Sequence, residues 1–398
     1  MQHTILKRPN PIRMDNDFAR ATMRVRLPAI LRNVQKVNPD FSPTIMEGID
    51  RLHDALVNDK SIPMLDLLPT AADYDDWYAA YREQQAKITP LTWQHSEWFF
   101  AETFCYRHLI QAVRWLETGR DPFAPIKQEE LEGEHFLELL NTALEATGDF
   151  EDKLAVLLSL ALWGNRVDLS HPAKDLADQT AAEDDLLADD RQAVLRYVAS
   201  DSRATNRSGI HLIADNSGTE LAVDLVLIDL LLANSDQSIV LHVKSHPTFV
   251  SDATIPDTWN IIRTMETKGG LLTELAHRLR AAWAARRFVL ATHPFWNSSH
   301  FLWDLPRTLN VVFRQAHLVI LKGDANYRRA IGDALWEDGI PFSAVLDYFP
   351  APILALRTLK SDGVVGLPRG LTQRLDRLDP VWRTTGRYGV IQFAANQP

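Results

Sequence analysis

Three oxygen-donor side chains, Asp215, Asn216 and Asp252, stand in two short polar runs, Asp215-Asn216-Ser217-Gly218 and Phe249-Val250-Ser251-Asp252. Carboxylates and an amide, with no cysteine or evident histidine partner, suit a hard divalent cation such as Mg²⁺ or Mn²⁺. Five cations occupy comparable runs: Lys244, Lys322, Arg328, Arg357 and Lys360. They suit a phosphoryl group, Arg as a planar fork and Lys as a point charge. Ser217 and Gly218 precede a helix-length segment, whose first N–H groups and dipole also favour an anion. A metal beside a cationic cradle is what phosphoryl transfer needs, because charge and positioning stabilise its transition state.

Each run alone has an ordinary explanation. Asp-Asn-Ser-Gly after a strand is a turn with a helix cap, Asp252 an Asx turn, and Lys322-Gly323-Asp324 a further turn. Glu220 and Asp224, four residues apart, would by themselves solvate an outer helix face. The site emerges from position. The runs follow apolar segments of strand type: GIHLIA (209–214), SIVLHV (238–243), RFVLA (287–291), LVIL (318–321) and ILAL (353–356). A last strand is expected at 389–393, with helical stretches such as 220–233 and 328–336 in between. This alternation predicts a mostly parallel, Rossmann-like α/β sheet with helices on both faces, a three-layer α/β/α core. Thr292 and His293 follow RFVLA, and ligands of such sheets bind outside the carboxyl ends of the strands, where all five segments are delivered.

Residues 18–165 instead show helical periodicity, as in Ile45–Asn58, Trp98–Thr118 and Asp152–Trp163. The expected division is a helical region at 1–170 packing over the site, an acidic linker at 171–206 and the α/β core at 207–398. The linker carries Glu183, Asp184, Asp185, Asp189 and Asp190, read as a solvated face.

Of the 398 residues, 46% are hydrophobic and 24% charged, an ordinary globular balance. The net charge of −10 argues against nucleic acid or an anionic membrane as partner. Any phosphorylated ligand must therefore meet a local cluster of cations and N–H groups. Cys105 is the only cysteine, so a reducing compartment, the cytoplasm, is expected. Leu154–Trp163 and Leu225–Ala233 are too short to span a bilayer. Met1–Met14 lacks a continuous apolar stretch and reads as an arm, not a secretory signal.

At these residues the chain resembles the damage-control phosphatases, the domain of unknown function 89 proteins. The resemblance runs through TMRVRLPAIL (22–31), WFFAETFCYRHL (98–109), LWGNRVDLS (162–170) and IADNSGTELAVDLVL (213–227). It continues through FVSDATIPD (249–257), LKGDANYR (321–328), RTLK (357–360) and WRTTGRYGVIQF (382–393). The RTLK segment marks the branch that includes acidic residue methyltransferase-like sugar phosphate phosphatases. The resemblance implies metal ligation by Asp215, Asn216 and Asp252, and substrate contacts from Glu220, Asp324, Asn326, Arg328 and Lys360. It also implies that the helical region brings Arg26, Glu102, Arg107, Asn165 and Asp168 towards the site, beside Ser217, Lys244 and Arg357. The implied activity is divalent-cation-dependent hydrolysis of phosphate monoesters, with fructose phosphates favoured and Mn²⁺, Co²⁺, Ni²⁺ or Mg²⁺ as activator. The sequence departs from its relatives at Ala325 and around Lys244, without touching an implied ligand.

In this reading Asp215, Asp252, Asp324 and Lys360 carry the reaction, with Asp324 or Asp252 as general base, or an Asp as nucleophile. The competing class is S-adenosylmethionine-dependent methylation of protein glutamates. The residues speak against it, because DNSGTE has one glycine and two carboxylates where a nucleoside-binding loop is glycine-rich. A non-catalytic sugar-phosphate sensor is a third reading, disfavoured by the intact Asp215, Asn216 and Asp252.

Overall fold

All six expected strands form: β2 (Ile210–Ile213), β3 (Ile239–Val243), β4 (Phe288–Thr292), β5 (Leu318–Lys322), β6 (Ile353–Thr358) and β7 (Gly389–Ala394). A computed structural model describes residues 6–164, 184–199 and 207–395. It adds β1 (Leu186–Asp189), which pairs in parallel with β7. The sheet order is β1-β7-β6-β5-β2-β3-β4, parallel throughout except for the β6–β7 pair. The order reverses at β2, which has β3 on one side and β5 on the other. That reversal opens the crevice in which doubly wound sheets bind ligands.

Alternate residues of the central strands feed two cores. Ile210 and Leu212 of β2, with Leu318 and Ile320 of β5, face one core; Ile213, Val319 and Leu321 face the other. Strand side chains alternate across the sheet, so runs apolar at every position are what a sheet covered on both faces requires.

Helices of eight residues or more are numbered in chain order. A bundle of α1 (Leu27–Val37), α2 (Pro43–Val57), α3 (Tyr74–Lys87) and α4 (Trp98–Ala112) has its own core around Trp77, Trp93, Trp98 and Phe104. The next three helices, α5 (Ala124–Glu132), α6 (Glu134–Leu144) and α7 (Phe150–Trp163), send Leu131, Phe136, Leu140 and Leu158 into the core on the sheet. The helical region is thus shared between a separate bundle and a layer of the sheet. Part of the stretch read as linker is also structured: 184–199 holds β1 and α8 (Arg191–Ala199), with Val194 and Leu195 in the sheet core. Residues 171–183 and 200–206 lie outside the described residues.

Downstream come α9 (Gly218–Asn234), α10 (Ile255–Lys268), α11 (Gly270–Ala284), α12 (Arg307–Gln315), α13 (Asp324–Ile331) and α14 (Leu371–Leu378). Two helices differ from expectation. The 98–118 stretch breaks at Arg114, whose left-handed backbone (φ 54°) ends α4 and leaves only a short turn, Trp115–Thr118. The 328–336 stretch runs as α13 at 324–331, stopped by left-handed Gly332, where the Trp303 ring fills the space of a Cβ. Among the described residues, no helix is long and apolar enough to cross a membrane.

Candidate active site

Asp215 leaves the end of β2, beside the turn that carries Asp252. Main-chain hydrogen bonds clamp the two: Ala253 N donates to Asp215 O (2.8 Å), Ser217 N to Ser251 O (2.6 Å) and Lys244 N to Ala253 O (2.8 Å). Asn216 and Asp252 face each other in an antiparallel bridge. The turn is strained on the way in: Phe249 and Val250 both have positive φ (48° and 72°), a region that a β-branched residue rarely enters. Such strain persists where the surroundings over-determine it, and it clusters at functional sites.

Burial, then the Asp252 charge and Glu220, push the Asp215 carboxyl well above the ordinary carboxylate range. Asp252 is pushed up by burial too, against the pull of Lys244. Lys244 Nζ lies 3.2 Å from Asp252 Oδ2 and donates to Trp296 O (3.0 Å). The Asn216 amide donates to Asp215 Oδ2 (3.0 Å) and Glu220 Oε2 (2.9 Å), and its oxygen accepts from Ser251 Oγ (2.5 Å). Asp252 Oδ2 makes the ion pair with Lys244 but accepts no well-aligned hydrogen bond among the described residues. Two buried carboxylates beside an amide make a donor set that fits a hard divalent cation. Among the described residues no three His, Cys, Asp or Glu side chains group as a metal site. The third donor here is the amide of Asn216.

Helix α9 begins at this edge and is buried almost throughout, including Glu220 (7% exposed) and Asp224 (0%). These acids therefore do not solvate an outer face. Both accept from Lys322 Nζ of β5, at 2.9 and 2.8 Å. Burial raises Asp224 to about 6, and Lys322 is occupied in neutralising it.

The amino end of α13 closes the crevice. Asp324 Oδ1 accepts from Arg357 Nε (2.9 Å), Ser361 Oγ (2.9 Å) and Lys360 N (3.2 Å). Burial pushes this carboxyl up, but Arg357 and Arg328 outweigh it and hold Asp324 below its ordinary range. Arg357 is fully buried, and its other donors go to Ser361 and Gly363, so it bears on the site through Asp324. Asn326 joins β2 to β5 by donating to Ala214 O and Lys322 O, both at 2.9 Å. Arg328 donates to Glu102 of α4 (2.7 Å) and Asp333 (2.7 Å) and stacks on Trp98, docking the bundle on the sheet. Lys360 is exposed and lines a cavity of about 400 Å³ with Glu130, His135, Asn216, Thr219 and Ser251.

From the bundle, Arg107 is held by Asp73 (2.6 Å). Arg26 is exposed at the end of a π-helical turn, Thr22–Arg26, and its charge, like that of Asp252, is felt by the Tyr106 hydroxyl. Asn165 and Asp168 lie outside the described residues. The sequence reading missed Lys127, which donates to Asp252 O (3.1 Å) while paired with Asp121 and Asp257. It also missed Glu130, whose Oε1 accepts from Thr219 N (2.8 Å), and Asp333. Asp252 and Thr219 lie far along the chain from Lys127 and Glu130, and Asp333 meets Arg328 only across the turn at Gly332.

The damage-control phosphatase ARMT1-like domain matches residues 22–375. The damage-control phosphatase ARMT1 of Danio rerio is 31% identical, over 96% of this chain and 96% of its own. That of Homo sapiens is 28% identical, over 94% and 96%. A crystal structure of a DUF89 family protein from Pyrococcus horikoshii covers 86% of this chain and 97% of its own, at 17% identity and a TM-score of 0.44. By the extent of that domain match, and by relatives aligned over nearly their whole length, the chain belongs to the damage-control phosphatase ARMT1-like family.

Proposed function

We propose that the chain hydrolyses phosphate monoesters of small metabolites, sugar phosphates such as fructose 1-phosphate or fructose 6-phosphate, with a divalent cation, Mn²⁺ foremost, as cofactor. The observation that carries this is the pairing of Asp215 with Asp252 at the switch point of the sheet, beside Lys244 and below Lys360. Asp215, Asn216 and Asp252 would hold the cation, which supplies Lewis-acid polarisation of a phosphoryl oxygen and acidification of water.

The remaining chemistry belongs to the chain. Lys360 has the reach and the charge to neutralise the equatorial phosphoryl oxygens as negative charge develops. Lys244 pairs with Asp252 and opposes the effect of its burial, and Lys127 anchors its backbone. Asp324 is our assignment for the general base. Its Oδ1 is fixed by three donors, Oδ2 takes none of those bonds, and its lowered pKa keeps it ionised at neutral pH. Oδ2 accepts the proton of the attacking water as the ester P–O bond breaks, giving an alcohol and inorganic phosphate. Glu220, with Arg26, Glu102, Arg107 and Arg328 across the bundle interface, would orient the organic part.

The test is phosphate release from a sugar-phosphate panel by metal-stripped protein, with and without Mn²⁺, Co²⁺, Ni²⁺ or Mg²⁺. Metal-dependent release favouring a ketose phosphate supports the reading. Silence across the panel, with metal shown to be bound, overturns it.

A further inference from the structure

The amino end of α9 already holds an anion, and it comes from the protein itself. Glu130, near the end of α5, places its carboxylate against Gly218 and accepts from Thr219 N at 2.8 Å. Gly218 has φ +67°, and a Cβ there would overlap the carboxylate, so the glycine makes room for it. Among the described residues no Lys or Arg forms an ion pair with Glu130. Its nearest described donor is a backbone N–H at the positive end of a 17-residue helix.

A second observation marks the place as a ligand position. Ser217, the residue that caps α9, is 1% exposed, makes no capping bond, and its Oγ has no partner among the described residues. Cavities reach this terminus on both sides of α5. One, of about 350 Å³, is lined by Ser217, Gly218 and Lys127; the other, of about 400 Å³, by Thr219, Asn216, Lys360 and Glu130 itself. A carboxylate is flat and singly charged. A phosphoryl group carries more charge and three oxygens, and would take the Thr219 N–H, the orphan Ser217 hydroxyl and Lys360 together.

We propose that Glu130 is a specificity-determining gate whose carboxylate fills an oxyanion subsite formed by Ser217, Gly218, Thr219 and Lys360. With Glu130 in place the subsite repels a second phosphoryl group and weakens retention of product phosphate. With its charge removed the subsite takes a tetrahedral oxyanion of the phosphate class. The inference rests on the phosphatase reading only for the identity of that anion.

The experiment titrates inorganic phosphate by calorimetry into metal-stripped, full-length wild type, Glu130→Gln, Glu130→Asp and Glu129→Gln. Glu129 is an exposed neighbour on the same helix and controls for net charge. Glu130→Gln leaves only a neutral amide on Thr219 N, which a phosphate oxygen can displace, and should bind phosphate about ten-fold more tightly than wild type. Glu130→Asp, whose carboxylate is withdrawn by one methylene, should fall between, and it serves if Glu130→Gln fails to fold. Glu129→Gln should match wild type. Equal affinities across folded variants overturn the proposal, as does an equal gain in Glu129→Gln. Wild-type phosphate release is assayed in parallel with added metal. Turnover with no change on Glu130 substitution sinks the gate alone; tighter phosphate binding by Glu130→Gln without wild-type turnover sinks the phosphatase reading alone.

Discussion

The carboxylate of Asp215, at the end of β2, occupies the space that a side chain on Gly323, at the end of β5, would fill. Gly323 also has φ +80°, open to glycine and strained for other residues. Two adjacent strands thus deliver a proposed ligand and the vacancy it needs.

Gly323→Ala should therefore leave the sheet intact while displacing Asp215. A shift of about 1 Å at a reacting centre costs on the order of a hundred-fold in rate. Steady-state phosphate release beside far-UV circular dichroism checks this, and a folded variant with wild-type turnover would show that Asp215 is not needed there.

Asp215→Asn and Asp252→Asn should each lose metal binding, read as metal content after dialysis, and turnover with it. Because Asp215 is buried and charge-destabilised, metal-free Asp215→Asn should melt no lower than the metal-free wild type, whereas Asp252→Asn leaves Lys244 buried without its partner and should melt lower. An Asp252→Asn protein with wild-type turnover would remove Asp252 from the ligand set.

Lys360→Ala truncates an exposed side chain, so stability should stay within about 0.5 kcal/mol of wild type. Its cost should fall on KM or kcat, by roughly ten-fold or more, as expected of a charge that acts on the phosphoryl group. Unchanged kinetics would place the neutralising charge elsewhere.

Arg357→Met leaves Asp324 buried with its main cation gone. Removing one partner of a buried pair costs about 3–5 kcal/mol, measured here by urea denaturation. The Asp324 carboxyl should then titrate upward, moving the acid limb of the pH–rate profile to higher pH. An unmoved limb would mean that Asp324 is not the base.

Two buried histidines set an acid limit on stability. His211 Nδ1 and His242 Nε2 are 2.9 Å apart, and burial lowers them to about 4 and about 3 from 6.5. Both are neutral in the folded chain, while the unfolded chain takes up their protons first. Their contribution is complete above pH 6.5 and is lost as pH falls towards 4 and then 3. For His211 the loss is about 3 kcal/mol at most. The melting temperature should drop across that window, and less steeply in a His211→Gln, His242→Gln double variant; equal slopes would contradict the assignment.

β2, β3, β5 and β6 were legible because strands covered on both faces are largely apolar and end in polar residues, and the edge strand β4 from its short apolar run. β1 was not: Leu186–Asp189 is four residues long, only partly buried, and lies in an acidic run that outweighs its leucines. The Asp215 run was legible because it follows its strand directly, and the Asp252 run because it lies in the loop between β3 and α10. The partners of Lys322, Arg328 and Arg357 were not, since the cations that look free for phosphate in the sequence meet Glu220, Asp224, Glu102, Asp333 and Asp324 only through folding. Periodicity likewise shows which face of α6 or α7 is apolar, but not that it covers the sheet instead of the bundle.

The place of β7 bears on how the chain is made. Gly389–Ala394 is inserted between β6 and β1, so one edge of the sheet waits until β7 has left the ribosome. Until then β6 exposes an unpaired, apolar rim, and β1, translated some two hundred residues earlier, has no neighbour to pair with. Such late, long-range pairing slows folding and lengthens exposure to aggregation. A nascent chain of this protein should therefore depend on chaperones until β7 has emerged.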